Sequence, residues 1–210
     1  MSELQVIEHP LLARALSQLR AADTSRATFR AAMAETTHIL AYEALRDLPV
    51  HDVEVTTPLE VTTASVPARD IAVVAILRAG LGMVNGFLEL VPDAAVGHLG
   101  MRRNETTHKP EAYYESLPAV IAGDVTTFVV DPMLATGGSA IAALRRVRQA
   151  GAKDLRLVCV VAAPEGVAAV REVEPDIPIT VAALDRELDD NAFVRPGLGD
   201  AGDRIFGTDD

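Results

Sequence analysis

The sequence predicts an α/β fold, a mostly parallel central sheet flanked by helices, with N-terminal helices and a small extended β-arm. Three observations carry that expectation. Apolar runs of strand length, continuous at 71–77 (IAVVAIL) and broken only by Arg156 at 155–163 (LRLVCVVAA), are what strands covered on both faces require. Each run gives way to a short break and then to apolar residues at helical spacing, the alternation that builds parallel sheets. The chain's 210 residues, 49% hydrophobic and 23% charged, suit one domain with a full core.

In chain order, Leu12, Leu16 and Leu19 share one face of a first helix. Asp23-Thr24-Ser25 caps a second helix carrying Phe29, Met33, Ile39, Leu40 and Leu45. Residues 53–66 turn Val/Thr-rich around Pro58, which suits a hairpin or arm outside the main sheet. The strand at 71–77 is broken at Arg78-Ala79-Gly80 before Leu81, Val84, Leu88 and Val91 resume a helix. A second strand at 126–130 leads into a nine-residue loop, 131–139, then a helix bearing Ile141, Leu144 and Val147 that stops at Gly151. The strand at 155–163, a helix at 165–173 and a strand at 179–184 follow. The expected division of this single domain is a helical region at 1–50, a β-arm at 51–67, an α/β core at 71–185 and a tail at 186–210.

Composition narrows the function. With 19 Lys plus Arg against 30 Asp plus Glu, the net charge of −11 repels nucleic acid and anionic membranes. No apolar run has membrane-spanning length, and aromatics at 4% with no Trp disfavour stacking platforms for bases. Cys159 stands alone and the start MSELQVIEHP lacks a secretory pattern, so the chain reads as cytoplasmic. The five histidines show no metal-ligand spacing, and no metal-ligating residue is assigned.

In open α/β sheets, ligands bind at the carboxyl ends of strands, which directs attention to the loops after Leu77 and Val130. Asp131, Pro132, Met133, Leu134, Ala135, Thr136, Gly137, Gly138 and Ser139 form the longer one. Two glycines and a hydroxyl at a helix start let backbone N–H groups converge on a monophosphate, with Asp131 placed to accept hydrogen bonds from an attached ribose. The same string also suits an ordinary strand-to-helix turn with a Ser cap. Arg78 and the amides around Gly80 could hold a second anion. Gly80, Gly82 and Gly86 are spaced one residue too long for a dinucleotide fingerprint. The polar stretch from Arg102-Arg103 through Lys109-Pro110 to Tyr113-Tyr114 is either a solvated loop or a lid. The acidic run at 185–190 has the composition of a solvated surface. In the tail, Gly197, Gly199 and Gly202 match GxGxxG, but only eight residues follow, too few for a helix and return strand. An ordered glycine-rich tail instead offers bare backbone groups to a flat heterocycle.

The string VVDPMLATGGS resembles the phosphoribosyl pyrophosphate (PRPP) signature of the type I phosphoribosyltransferases, in the wording of the uracil phosphoribosyltransferases, where Asp131 is followed by Pro132 rather than a second acid. The tail from Phe193 to Thr208 resembles that family's uracil-binding segment. The resemblance implies transfer of a phosphoribosyl group from PRPP to N1 of uracil. It implies PRPP contacts from Arg78, Arg103, the loop Asp131 to Ser139 and Asp200, uracil contacts from Val194, Gly199, Asp200 and Ala201, and catalytic roles for Arg103 and Asp200. For Asp200 two roles stay open, organising the metal-bound substrate or assisting N1 deprotonation. Mg²⁺ is implied as part of the PRPP complex, and a homo-oligomer, dimer or tetramer, with GTP as an activator, is implied beside it. Arg102 and Phe193 depart from the family's usual Tyr at each place. The competing expectation is an RNA-binding regulator of pyrimidine genes on the same fold, against which the acidic charge stands.

Overall fold

The computed structural model describes residues 4–103 and 110–208. Seven strands form the main sheet: β1 (Leu4–Val6), β4 (Asp70–Leu77), β5 (Ala95–Arg103), β6 (Pro110–Ser116), β7 (Val125–Leu134), β8 (Asp154–Ala162) and β9 (Ile179–Leu184). Their order across it is β1-β9-β8-β7-β4-β5-β6. All neighbours run parallel except the edge pair β5 and β6. The predicted fold class therefore holds, with an antiparallel edge added.

Both N-terminal helices are present, α1 (Pro10–Arg20) and α2 (Arg26–Ala44), and Ser25 caps the second by accepting from the Thr28 N–H. The arm is an antiparallel hairpin of β2 (Val50–Thr56) and β3 (Val61–Pro67), paired outside the main sheet. Helices α3 (Leu81–Leu88), α4 (Gly138–Gln149) and α5 (Pro164–Val173) are the crossovers between parallel strands.

Period-two alternation along the strands divides the core into two layers. Val73 and Ala75 of β4, with Phe128 and Val130 of β7, join Leu12, Leu19, Phe29, Met33, Met83 and Phe87 on the face covered by α1, α2 and α3. Ala72, Val74, Val129 and Cys159 point the other way, onto Leu144, Val147, Val167 and Val170 of α4 and α5.

Several expectations change. The short β1 was not read from sequence; it adds to β9 through the Leu4 and Ile179 register. Strand β7 continues to Leu134, because Asp131, Met133 and Leu134 still pair with Cys159, Val161 and Ala162, so the loop before α4 shrinks to Ala135, Thr136 and Gly137. Tyr113 and Tyr114 lie in β6 rather than in a loop, held by pairing to β5. Residues 104–109 of the expected lid lie outside the described residues. Finally, the tail is structured: β10 (Glu187–Leu188) pairs with β11 (Val194–Arg195), and α6 (Ala201–Phe206) follows.

Candidate active site

The strand order creates the crevice. From β4 the chain steps outward to β5, while from β7 it steps the opposite way to β8 and then β9. Because β4 and β7 are neighbours, the loops at their carboxyl ends diverge, and the gap between them is the sheet's switch point, where such sheets bind ligands. The two loops singled out in the sequence flank that gap.

On one side, Gly137 adopts φ 82°, a left-handed conformation that turns the chain into α4. The residues from Met133 to Ala140, with Asp131, line a hollow of about 80 Å³. Thr136 and Ser139 are exposed at its rim, so backbone amides, hydroxyls and a helix N-terminus face one small polar space. Pro132 and Leu134 are buried and anchor the end of β7. The loop is held from behind by α5: a Cβ at Gly166 would stand 2.2 Å from the Ala135 carbonyl oxygen and 2.9 Å from that of Leu134.

On the other side, Gly80 donates its N–H to the Ile76 carbonyl at 2.9 Å, folding the chain tightly after β4. A Cβ there would lie 2.6 Å from the carbonyl oxygens of both Ile76 and Val130, so only glycine fits where the two strand ends meet. Arg78 reaches the tail, donating to Thr208 Oγ1 at 3.0 Å and to Asp203 Oδ1 at 3.1 Å.

The tail closes the third side. Asp200 caps α6, its Oδ1 accepting from the Asp203 N–H at 2.9 Å. Gly199 is exposed with φ 75°, Ala201 is buried, and Val194 is buried in the core where β11 pairs with β10. Arg103 ends β5, and its side chain lies outside the described residues.

Burial pushes the Asp131 carboxyl up from its ordinary 3.8 to about 7; the Met133 N–H opposes the shift and the negative charge of Asp200 adds to it. The folded protein therefore keeps a proton on Asp131 over a window where the unfolded chain has lost it. This group's contribution to stability falls as pH rises from 3.8 to about 7. In denaturant titrations, wild type is expected to lose stability relative to Asp131→Asn across that window; a constant difference between the two would contradict the shift.

Sequence reasoning missed several residues that hold this site. Asp185, assigned to a solvated acidic run, is buried, accepts the Gly197 N–H at 2.9 Å and pairs with Arg20. Its position directly after the apolar run at 179–184 was the available signal, since that is the strand end facing the crevice. Nothing in the local sequence marked Gly166 or Arg204. Among the described residues, no group of three or more His, Cys, Asp or Glu side chains is arranged to hold a metal ion.

Known proteins resemble the chain over nearly its whole length. The family described as uracil phosphoribosyltransferase matches residues 6–208. A uracil phosphoribosyltransferase of Salinibacter ruber is 54% identical over 99% of both chains. One from Lactococcus lactis subsp. cremoris is 53% identical over 99% of this chain and 100% of its own. A solved protein from Aquifex aeolicus superposes with a TM-score of 0.92 at 36% identity, covering 98% of this chain and 99% of its own. A hypoxanthine-guanine phosphoribosyltransferase from Bacillus anthracis shares the fold at a TM-score of 0.52 and 15% identity, over 75% of this chain and 79% of its own.

Proposed function

This chain belongs to the uracil phosphoribosyltransferase family, and from that premise we propose that the switch-point crevice is where its reaction takes place. The chain is a pentosyltransferase that moves the 5-phosphoribosyl group of PRPP to N1 of uracil, giving UMP and pyrophosphate. An RNA-binding regulator is not favoured, since its relatives are named as transferases.

The observation that carries the site assignment is the convergence of three sequence-distant segments on one gap: the turn after β4, the loop after β7 and the tail. The hollow lined by Ala135, Thr136, Gly137, Gly138 and Ser139 suits the 5-phosphate, and Asp131 beside it suits the ribose hydroxyls. As the bond from the anomeric carbon to pyrophosphate breaks, positive charge grows on the sugar and negative charge on the leaving group. Arg78 and Arg103 are assigned to the latter. Asp131 and Asp200, whose charges act on one another, are the carboxylates that would face a Mg²⁺ bound with PRPP, where the ion would offset charge on the departing pyrophosphate. The backbone at Val194, Gly199, Asp200 and Ala201 is assigned to the acceptor and donor edge of uracil, bringing N1 to the anomeric carbon, so that orientation supplies much of the rate. Asp200 either organises the metal-bound substrate or assists the loss of the N1 proton.

On family grounds alone, the protein is proposed to work in the cytoplasm as a homo-oligomer activated by GTP. Among the described residues, no helix is long and apolar enough to cross a membrane.

Incubating the protein with PRPP, Mg²⁺ and each nucleobase in turn, and measuring pyrophosphate and nucleotide, tests the function. Uracil is the expected acceptor, and preference for a purine would overturn the assignment.

A further inference from the structure

A site that reads a base with backbone groups has a particular weakness. Side-chain identity does not encode the pattern of donors and acceptors, because every residue carries the same N–H and C=O. Selectivity then depends on how firmly the backbone is held, and a misplacement of about 1 Å is enough to degrade it. Whatever immobilises residues 197–201 thus controls the choice of base.

The turn is held by arginines reaching between it and the N-terminal helices. Arg204, on α6, donates Nη1 to the Leu198 carbonyl at 2.7 Å and also to that of Leu19, and Nη2 to that of Ala21 at 2.5 Å. Leu19 and Ala21 lie at the C-terminus of α1, where carbonyls lack helical partners and attract a cation. The guanidinium carbon sits 4.3 Å from the Phe29 ring centroid, and Phe29 is fully buried, so the plane of the fork is fixed as well as its ends. The Arg204 stem underlies the turn itself: a Cβ on Gly199 would meet Arg204 Cδ at 3.4 Å.

A second tie grips the turn two residues earlier. Arg20, the last residue of α1, donates to the Gly197 carbonyl at 2.7 Å and to Asp185 Oδ2 at 3.0 Å, while the Gly197 N–H donates to the same Asp185 oxygen at 2.9 Å. Both backbone groups of Gly197 are thus taken by a charged pair whose carboxylate is nearly inaccessible. Gly197 has φ 64°, and a Cβ there would approach the Val194 carbonyl oxygen to 2.2 Å, so only glycine fits at this point of the turn. Neither arginine has an assigned contact with uracil or PRPP.

We propose that Arg204, with the Arg20–Asp185 pair, is a positioning residue for base recognition, suspending the uracil-reading turn from the end of α1 so that its backbone groups keep one geometry. The proposal rests on the assignment of the tail to uracil. It predicts a larger effect on the base than on PRPP, since of the turn's residues only Asp200 is assigned to PRPP and the loop from Ala135 to Ser139 is held by α5 instead.

Arg204→Met keeps a stem to cover Phe29 and removes the donors. It is expected to raise the KM for uracil about tenfold or more while PRPP affinity by calorimetry falls by a clearly smaller factor, and to narrow the kcat/KM preference for uracil over cytosine. Arg204→Lys, which retains one donor and the charge, is expected to fall between. Simple destabilisation lowers the active fraction and kcat without changing either ratio. If Arg204→Met does not fold, Arg20→Lys takes the same measurements. Gly199→Ala, strained at its positive φ, is measured alongside as a direct perturbation of the reading turn. An unchanged uracil KM in the arginine variants with a raised one in Gly199→Ala overturns the positioning role alone. Unchanged values in all of them overturn the tail assignment and the proposal with it. Equal weakening of PRPP and uracil also overturns it.

Discussion

Gly80→Ala is expected to lower kcat/KM by about two orders of magnitude or more, roughly 3 kcal/mol of transition-state stabilisation, and to depress the melting temperature. The added methyl would lie 2.6 Å from two carbonyl oxygens, Ile76 on β4 and Val130 on β7. Both belong to ladder strands fully buried at those positions, so neither retreats without opening the sheet. What yields is the turn carrying Arg78, and with it the relation between that turn and the loop after β7. Gly82→Ala supplies the contrast. Its methyl would approach Ile205 Cδ1 at 2.7 Å, the far end of a flexible side chain that can rotate, so its cost is expected to stay below about 1 kcal/mol. Steady-state kinetics and thermal melts on the two variants decide it; comparable activities would mean that the strand ends are not rigid.

Gly166→Ala is expected to weaken PRPP binding about a hundredfold, although helix propensity alone predicts a gain of up to about 1 kcal/mol for alanine within a helix. The contact reverses the sign: a methyl 2.2 Å from the Ala135 carbonyl oxygen forces α5 and the phosphate loop apart. The loop and α5 are already close at Gly137, where a Cβ would lie 3.0 Å from the Gly166 carbonyl oxygen and φ is 82°. Calorimetric titration with PRPP tests this, and a stabilised variant with wild-type affinity would contradict it.

The regions of the proposed site legible in the sequence are those where a ligand would dictate residue type over consecutive positions, as in the string from Asp131 to Ser139. Hidden features have specific causes. Strand β5 was not recognised because Gly97 and Gly100 interrupt its apolar pattern, and both glycines are there to admit bulk from β6 and beyond: Cβ atoms on them would meet Pro118 Cδ at 2.9 Å and Tyr113 Cζ at 2.6 Å. The extension of β7 past Val130 was hidden by Pro132, which resembles a strand terminator although the ladder resumes at Met133. Asp185 and Arg20 are 165 residues apart, so no local window reveals that each neutralises the other, and Asp185 alone looks like one more surface acid. The fold class, by contrast, followed from burial of whole strands on both faces, which leaves a mark in every run of the core.

The ties between Arg204 and the end of α1 also bear on how the molecule is made. They join residues 183 and 185 positions apart, about as non-local as contacts in a chain of this size become. Contacts of such separation form late and slow assembly, because the intervening chain must first be ordered. The loop assigned to the sugar phosphate is built from neighbours within β7, α4 and the start of α5. During refolding, the loop from Ala135 to Ser139 is thus expected to form before the turn assigned to uracil, and a ribosome-bound chain stopped at residue 197 would hold that loop while lacking Gly199, Asp200 and Ala201.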